Sequence, residues 1–289
     1  MLPADLRRGA RTLLVLGRVS NLPTVWSNCL AGWWLGGGAL TQNLIVAAVG
    51  SSFLYIGGMY LNDAFDADFD RQHRAERPIP SGAISLEAVS ALGFAWLAIG
   101  FLLLAWLGVT VAVLGFLLAC AIVLYDFLHK AIALSPLLMA ACRFLLYLMA
   151  AAAGLNGIAG LAIYSAFALA AYIIGLSYLA RRESARGALR YWPCGFLAAP
   201  IFLGLLVNNG PFRIRGSLLA LLLLLWIWRC LRWTFLAPRA NIGRTVSGLL
   251  AGIVLVDWLA AADVPAVLAM IFVGLFAAAL LFQRFIPAT

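Results

Sequence analysis

The chain is predicted to be an all-α, polytopic membrane protein, and three features of its sequence predict this. Of its 289 residues, 65% are hydrophobic and only 11% are charged, where a soluble domain is about one-quarter charged. The mean hydropathy is +1.01. The apolar residues gather into runs of the roughly 20 residues that a spanning helix needs.

Ten such runs are read, at roughly 17–37, 43–66, 87–107, 109–128, 132–153, 158–180, 191–208, 216–236, 245–261 and 264–283. Residues 88–125 carry no charge and are too long for one span, so a turn is placed at Gly108. Residues 131–180 carry one charge, Arg143, and the turn there is placed near Gly154, Asn156 and Gly157. No polar linker divides the chain, so residues 1–289 are read as one transmembrane domain. Arg7, Arg8 and Arg11 precede the first run, and no small-residue cleavage site follows a short apolar core, so no cleaved signal peptide is expected.

The net charge is +9, and nineteen of the twenty basic residues are Arg. They sit between the apolar runs, the pattern of charged loops on one membrane face rather than of a nucleic-acid surface. With the N-terminus in the cytoplasm, most basic loops fall inside, and only Arg213 and Arg215 fall outside. The expectation is a bacterial cytoplasmic membrane with the N-terminus inside. Cys29, Cys120, Cys142, Cys194 and Cys230 are isolated, so neither a metal site nor a disulfide framework is expected. The only histidines, His73 and His129, are far apart, which argues against a histidine metal site.

Chemistry concentrates in one segment. Asp63, Asp66, Asp68, Asp70 and Glu76 make five of the eleven acidic residues, and the segment begins inside an apolar run. Carboxylates at a membrane helix end are costly unless they are paired or coordinate something. At about 100° per residue, Asn62, Asp63, Asp66 and Asp70 share one face, and Asp68 lies opposite. Hard oxygen ligands beside phosphate are how Mg²⁺ is usually held. Arg71, Arg74 and Arg77 follow, spaced so that they can converge on one side of a turn or short helix, and guanidinium forks match phosphate oxygens. A diphosphate site is one reading of this segment. A solvated helix end whose Asp and Arg residues pair with one another is the other.

From Tyr60 to Gly82 the segment reads YLNDAFDADFDRQHRAERPIPSG. It resembles the first aspartate-rich motif of the UbiA superfamily of intramembrane prenyltransferases. Arg18-Val-Ser-Asn21 resembles the family's opening, Tyr125 and Lys130 resemble its segment after the fourth span, and Arg143 falls where members often carry an Arg in the fifth. The resemblance implies a helical bundle of nine spans around a central cavity. It also implies Mg²⁺-dependent prenyl transfer from a prenyl diphosphate to a small lipophilic or aromatic acceptor, with the lipid bilayer as surroundings and no obligate protein partner. By resemblance, Asn62, Asp63, Asp66 and Asp70 hold the metal, and Asn21, Arg71, Arg74, Arg77, Lys130, Arg181 and Arg182 bind the diphosphate. Lys130, Arg143 and Tyr125 serve catalysis.

Each role has a plainer alternative. Arg143 could form a structural ion pair with Asp126, Lys130 could be an interfacial snorkelling residue, Tyr125 could belong to an interfacial belt, and Asn21 could cap the first helix. The family's second aspartate-rich motif is missing. The corresponding stretch, SYLARRESARGALRYWP from Ser177 to Pro193, holds Glu183 as its only acid. Glu183 is either a remaining metal ligand or a partner of its arginines. The tenth run is a second departure, read as a further helix or as two half-spans within 241–285. Both departures resemble a divergent branch such as the EboC-like proteins. They leave a non-catalytic binder or transporter of an isoprenoid as the alternative function.

Overall fold

The computed structural model describes residues 4–130, 132–181, 191–208, 210–237 and 239–287. These form α1 (Ala4–Leu16), α2 (Leu22–Leu35), α3 (Thr41–Phe65), α4 (Ala67–His73), α5 (Leu86–Ala105), α6 (Val109–Leu128), α7 (Ser135–Ala152), α8 (Gly160–Ala180), α9 (Trp192–Val207), α10 (Arg213–Phe235), α11 (Ile242–Ala260) and α12 (Ala266–Phe282), with no strand among the described residues. Every one of the ten apolar runs became a helix. Seven helices are long and apolar enough to cross a membrane, whereas α9 and α12 are apolar but shorter. Large apolar side chains such as Leu102, Phe116, Phe202 and Leu206 face outward, as a chain surrounded by lipid requires. The protein is an integral membrane protein with an all-helical fold.

Local chemistry sets the turns. Gly108 adopts φ 131° between α5 and α6, a conformation that side chains disfavour, and Ser85 caps α5 by accepting from the Ala88 amide at 3.2 Å. Small residues set the closest packing. A Cβ on Gly57 of α3 would lie 2.8 Å from the Gly93 carbonyl oxygen of α5, and one on Gly100 would lie 2.7 Å from the Gly50 oxygen. Two glycine pairs therefore let these backbones meet, as small residues do in membrane helices.

Two apolar cores flank α2 and α7. One joins them to α3, α5 and α6, and the other to α8 through α12. The helix α12 packs on α2 and α11 as one continuous element, so residues 241–285 hold two whole helices rather than two half-spans.

The entry to the first span departs from expectation. The chain forms α1 over residues 4–16, where only a charged lead-in was expected, and α2 begins at Leu22 rather than near residue 17. Between them Arg18 adopts φ 40°, followed by a single turn of 3₁₀ helix from Val19 to Asn21. Asn21 occupies the cap position but makes no capping hydrogen bond with its side chain. Its amide instead donates to the Tyr55 hydroxyl at 3.2 Å.

Candidate active site

The acid-rich face forms as its spacing predicts, although α3 ends within it. Helical hydrogen bonding runs through the junction. The Asp66 amide donates to the Asn62 carbonyl at 3.0 Å, Asp70 to Asp66 at 2.9 Å and Arg74 to Asp70 at 2.8 Å. Asn62, Asp63, Asp66 and Asp70 are all buried. Asp68 points the other way with its side chain 92% exposed, bonded to Arg71.

Asp63, Asp66 and Asp70 each meet a cation, brought by the same segment or by another. The left-handed turn aims Arg18 at Asp63 (3.0 Å) and at the Asn62 amide oxygen (3.4 Å). Arg77 reaches Asp63 at 3.1 Å and Asp70 at 2.9 Å. From the end of α6, Lys130 meets Asp66 at 2.6 Å and His129 meets it at 3.4 Å. The Lys130 ammonium also sits 3.9 Å from the centre of the Phe69 ring. The Asn62 amide donates to Asp126 at 3.1 Å. Burial works against the Asp66 carboxylate, but hydrogen bonds and charge from His129 and Lys130 outweigh it and hold its pKa below the usual value. Burial likewise opposes protonation of His129, and Asp66 overcomes it, raising the His129 pKa. His129 is thereby favoured as a cation that donates from both ring nitrogens.

Two buried oxygens in this cluster, Asp70 Oδ1 and Asp126 Oδ2, have no hydrogen-bond partner. No three ligating His, Cys, Asp or Glu side chains converge among the described residues. The donor set still suits Mg²⁺. It is all oxygen, it leaves an acceptor free on Asp70, and Mg²⁺ is commonly held by one or two carboxylates, with substrate phosphates and waters completing the shell.

Other expected site residues are placed elsewhere. Arg71, Arg74 and Arg77 do not converge. The helix α4 ends at His73 and Arg74 leaves helical geometry at φ −148°, so the three-residue spacing loses its common face. Arg71 faces outward to Asp68, Arg74 makes no ion pair among the described residues, and only Arg77 turns inward. Arg181 is not directed at the acids. It donates to the Ile132 and Ala133 carbonyls at 3.2 and 2.7 Å and to Ser135 Oγ at 3.1 Å, pinning the α6–α7 loop to the end of α8. Tyr125 is half-buried and stacks on His129 with ring centres 5.2 Å apart. Arg182 and Glu183 lie outside the described residues.

Arg143 is buried but does not pair with Asp126. It donates to the Asn28 side-chain oxygen at 2.6 Å, the Thr24 carbonyl at 3.3 Å and Thr24 Oγ1 at 3.0 Å, all on α2. The Asn28 amide then donates to Asp257 of α11 at 2.7 Å, and Ser27 Oγ donates to the same carboxylate at 2.5 Å. Asp257 is 0% exposed. The acid and the base are thus joined through an amide rather than in direct contact. The sequence pattern assigns no role to Asp257, Arg18 or His129. One available signal was the Asp126–His129–Lys130 spacing, which returns to one side of α6 as it ends.

An integral-membrane helical bundle with a buried acid–base centre at the end of α3 is the class that fold and site define. The UbiA prenyltransferase family model matches residues 20–194, and the chain belongs to that family. Digeranylgeranylglyceryl phosphate synthase of Metallosphaera sedula is 37% identical over 60 residues, 21% of each chain. The enzyme of the same name from Ignicoccus hospitalis is 36% identical over 93 residues, 32% of this chain and 30% of the other. The chain thus matches about a fifth to a third of these relatives' length. Among solved structures, a UbiA homologue from Aeropyrum pernix K1 superposes with a TM-score of 0.62 at 17% identity, covering 86% of this chain and 98% of that one. A UbiA homologue from Archaeoglobus fulgidus, bound to GPP and Mg²⁺, superposes with a TM-score of 0.55 at 17% identity, covering 95% and 97%. These likenesses establish the shared fold.

Proposed function

We propose that the chain transfers a prenyl group from a polyprenyl diphosphate to a small lipophilic or aromatic acceptor, with Mg²⁺ as cofactor. One observation carries this reading: Asp63, Asp66 and Asp70 at one membrane-helix end interleave with Arg18, Arg77 and Lys130, with His129 beside Asp66. The acidic half complements a divalent metal, and the basic half complements a diphosphate. In the state described the two halves neutralise each other, so binding of a metal diphosphate exchanges partners rather than creating buried charge. The Archaeoglobus fulgidus homologue with GPP and Mg²⁺ supports the same ligand class.

Asp66 and Asp70, supported by Asn62 and Asp63, would hold the metal, whose charge neutralises the leaving diphosphate. Lys130, Arg77 and Arg18, released from their carboxylates, turn to the phosphate oxygens. There they stabilise the negative charge that grows as the bond from the prenyl carbon to oxygen breaks. The acceptor forms the new bond to that carbon and gives up a proton. Arg143 stands apart from the diphosphate groups, since its hydrogen bonds go to α2 and none to the acid cluster. Tyr125, stacked on His129, borders the leaving group. Residues 1–289 act as one domain in a cytoplasmic membrane, N-terminus inside, as the distribution of arginines supports.

The absence of Asp from Ser177 to Pro193 favours a second reading, an isoprenoid diphosphate binder without transfer. One experiment separates them. Purified protein is titrated with geranyl and geranylgeranyl diphosphate, with and without Mg²⁺, while released pyrophosphate is assayed across a panel of lipophilic and phenolic acceptors. Mg²⁺-dependent binding with release supports transfer, and binding without release for any acceptor supports the second reading. Absence of binding overturns both.

A further inference from the structure

Away from the acid centre, one helix face carries charge that no polar group among the described residues answers. No Asp or Glu occurs between Glu183 and Asp257, yet α10 and the start of α11 expose Arg229, Arg232 and Arg244. Elsewhere Arg18, Arg77, Arg143, Arg181 and Arg215 each donate to a carboxylate, amide or carbonyl. These three instead lie against indole rings. Arg229 is 4.9 Å from the Trp226 ring centre, Arg232 is 5.4 Å from that of Trp228, and Arg244 is 3.7 Å from that of Trp233. A guanidinium over an indole face keeps its N–H groups free at the ring's edge while the ring fixes its orientation.

The helical wheel gives this face a shape. At about 100° per residue, Arg229 and Arg232 lie side by side, with Trp226 on one flank and Trp228 on the other. Deeper along α10 the same face continues as Leu225, Leu222, Leu221 and Leu218, exposed by 54%, 44%, 51% and 62%. An outward leucine ridge ends in a tryptophan-bracketed arginine pair. A ridge of this kind accommodates acyl chains, tryptophan favours the headgroup boundary, and two neighbouring guanidiniums match one phosphodiester.

We propose that this face of α10 is a binding site for an anionic phospholipid of the surrounding leaflet. Arg229 and Arg232 hold its phosphate, Trp226 and Trp228 border its glycerol region, and the leucine ridge carries its acyl chains. Arg244 on Trp233 adds a third cation beside the headgroup. An arginine serving topology alone needs only to lie on one side of the bilayer, and a zwitterionic lipid would satisfy the ridge equally well. The site therefore distinguishes lipids by net charge.

The test uses the full chain in detergent, titrated with phosphatidylglycerol or with phosphatidylcholine of identical acyl chains, counting retained lipids by native mass spectrometry. Wild type is expected to prefer phosphatidylglycerol. The R229Q/R232Q variant should lose roughly ten-fold or more of that preference, since each surface arginine contributes measurably to anionic-lipid attraction. Arg213→Gln, at the opposite end of α10, should leave it unchanged. If the double variant proves unstable, Arg232→Gln alone serves, because its side chain is exposed and has no polar partner among the described residues. Equal retention of the two lipids by wild type overturns the proposal. So does a preference that survives R229Q/R232Q, or one that falls as far with Arg213→Gln.

Discussion

Two polar sets are buried around α2, and they are built differently. At the membrane-helix end, acids and cations touch directly. Arg77 bridges Asp63 and Asp70, and Lys130 meets Asp66. Deeper in the bundle, Arg143 and Asp257 never touch, because Asn28 turns its oxygen to one and its amide to the other. Direct pairs can be exchanged for the ions of a ligand. A relay through an amide bonded to both neighbours has no such exchange, and it locks three helices together. A chain of hydrogen bonds connects the two sets. Arg143 donates to Thr24, Thr24 to the Asn21 carbonyl at 2.7 Å, Asn21 to Tyr55, and Tyr55 to the Arg18 carbonyl at 3.4 Å. The closed set thereby supports the turn that aims Arg18 into the exchangeable one.

The largest effect should come from removing the ligands of the exchangeable set. Asp66→Ala and Asp70→Ala are each expected to abolish Mg²⁺-dependent binding of geranylgeranyl diphosphate in calorimetric titration, with the fold retained by circular dichroism. Retained Mg²⁺-dependent binding in both variants would remove the acid face from the site.

The closed set should break in stability rather than in ligand exchange. Asp257→Leu leaves Arg143 without a buried counter-charge, a change that costs roughly 3–5 kcal/mol where such pairs have been broken. The swap N28D/D257N puts a carboxylate on Arg143 and an amide at position 257, so the relay is rebuilt with its charge preserved. Thermal unfolding should show the double variant well above Asp257→Leu and above Asn28→Asp alone. A double variant no better than either single change would mean that Asp257 does not act through Asn28.

How much of this was legible follows from the distance over which each interaction acts. The spans and the acid face were readable because both are periodicities within one segment. Asp68 was correctly set apart from Asp66 by angle alone. The partner of Arg143 was not readable, since Asp257 lies on a helix far along the chain and only folding brings α2 between them. The Arg71–Arg74–Arg77 expectation failed for a local reason: equal spacing converges only while a helix persists, and α4 stops at His73. Arg18 escaped notice as a site residue because its approach depends on the left-handed turn at its own position, which a non-glycine residue rarely adopts.

Lys130 tests the basic half of the exchangeable set. Its side chain is 39% exposed, so Lys130→Gln should leave the melting temperature nearly unchanged. It should still weaken prenyl diphosphate binding, by roughly ten-fold for one charge-assisted contact. Lys130→Arg should recover part of that affinity. A fall in stability without a fall in affinity would mark Lys130 as a partner of Asp66 alone.

The smallest expected effect is the sharpest check on the helical-face argument. Asp68 lies two residues from Asp66 and two from Asp70 in sequence, yet it sits on the far side, exposed and bonded to Arg71. Exposed ion pairs contribute little, and nothing on that side faces the cluster. Asp68→Ala should therefore leave both Mg²⁺-dependent diphosphate binding and the melting temperature close to wild type. If it lowers affinity as far as Asp66→Ala or Asp70→Ala, the effect would be one of total negative charge at the helix end. The geometry that divides these aspartates into an inner and an outer set would then have no bearing on the ligand.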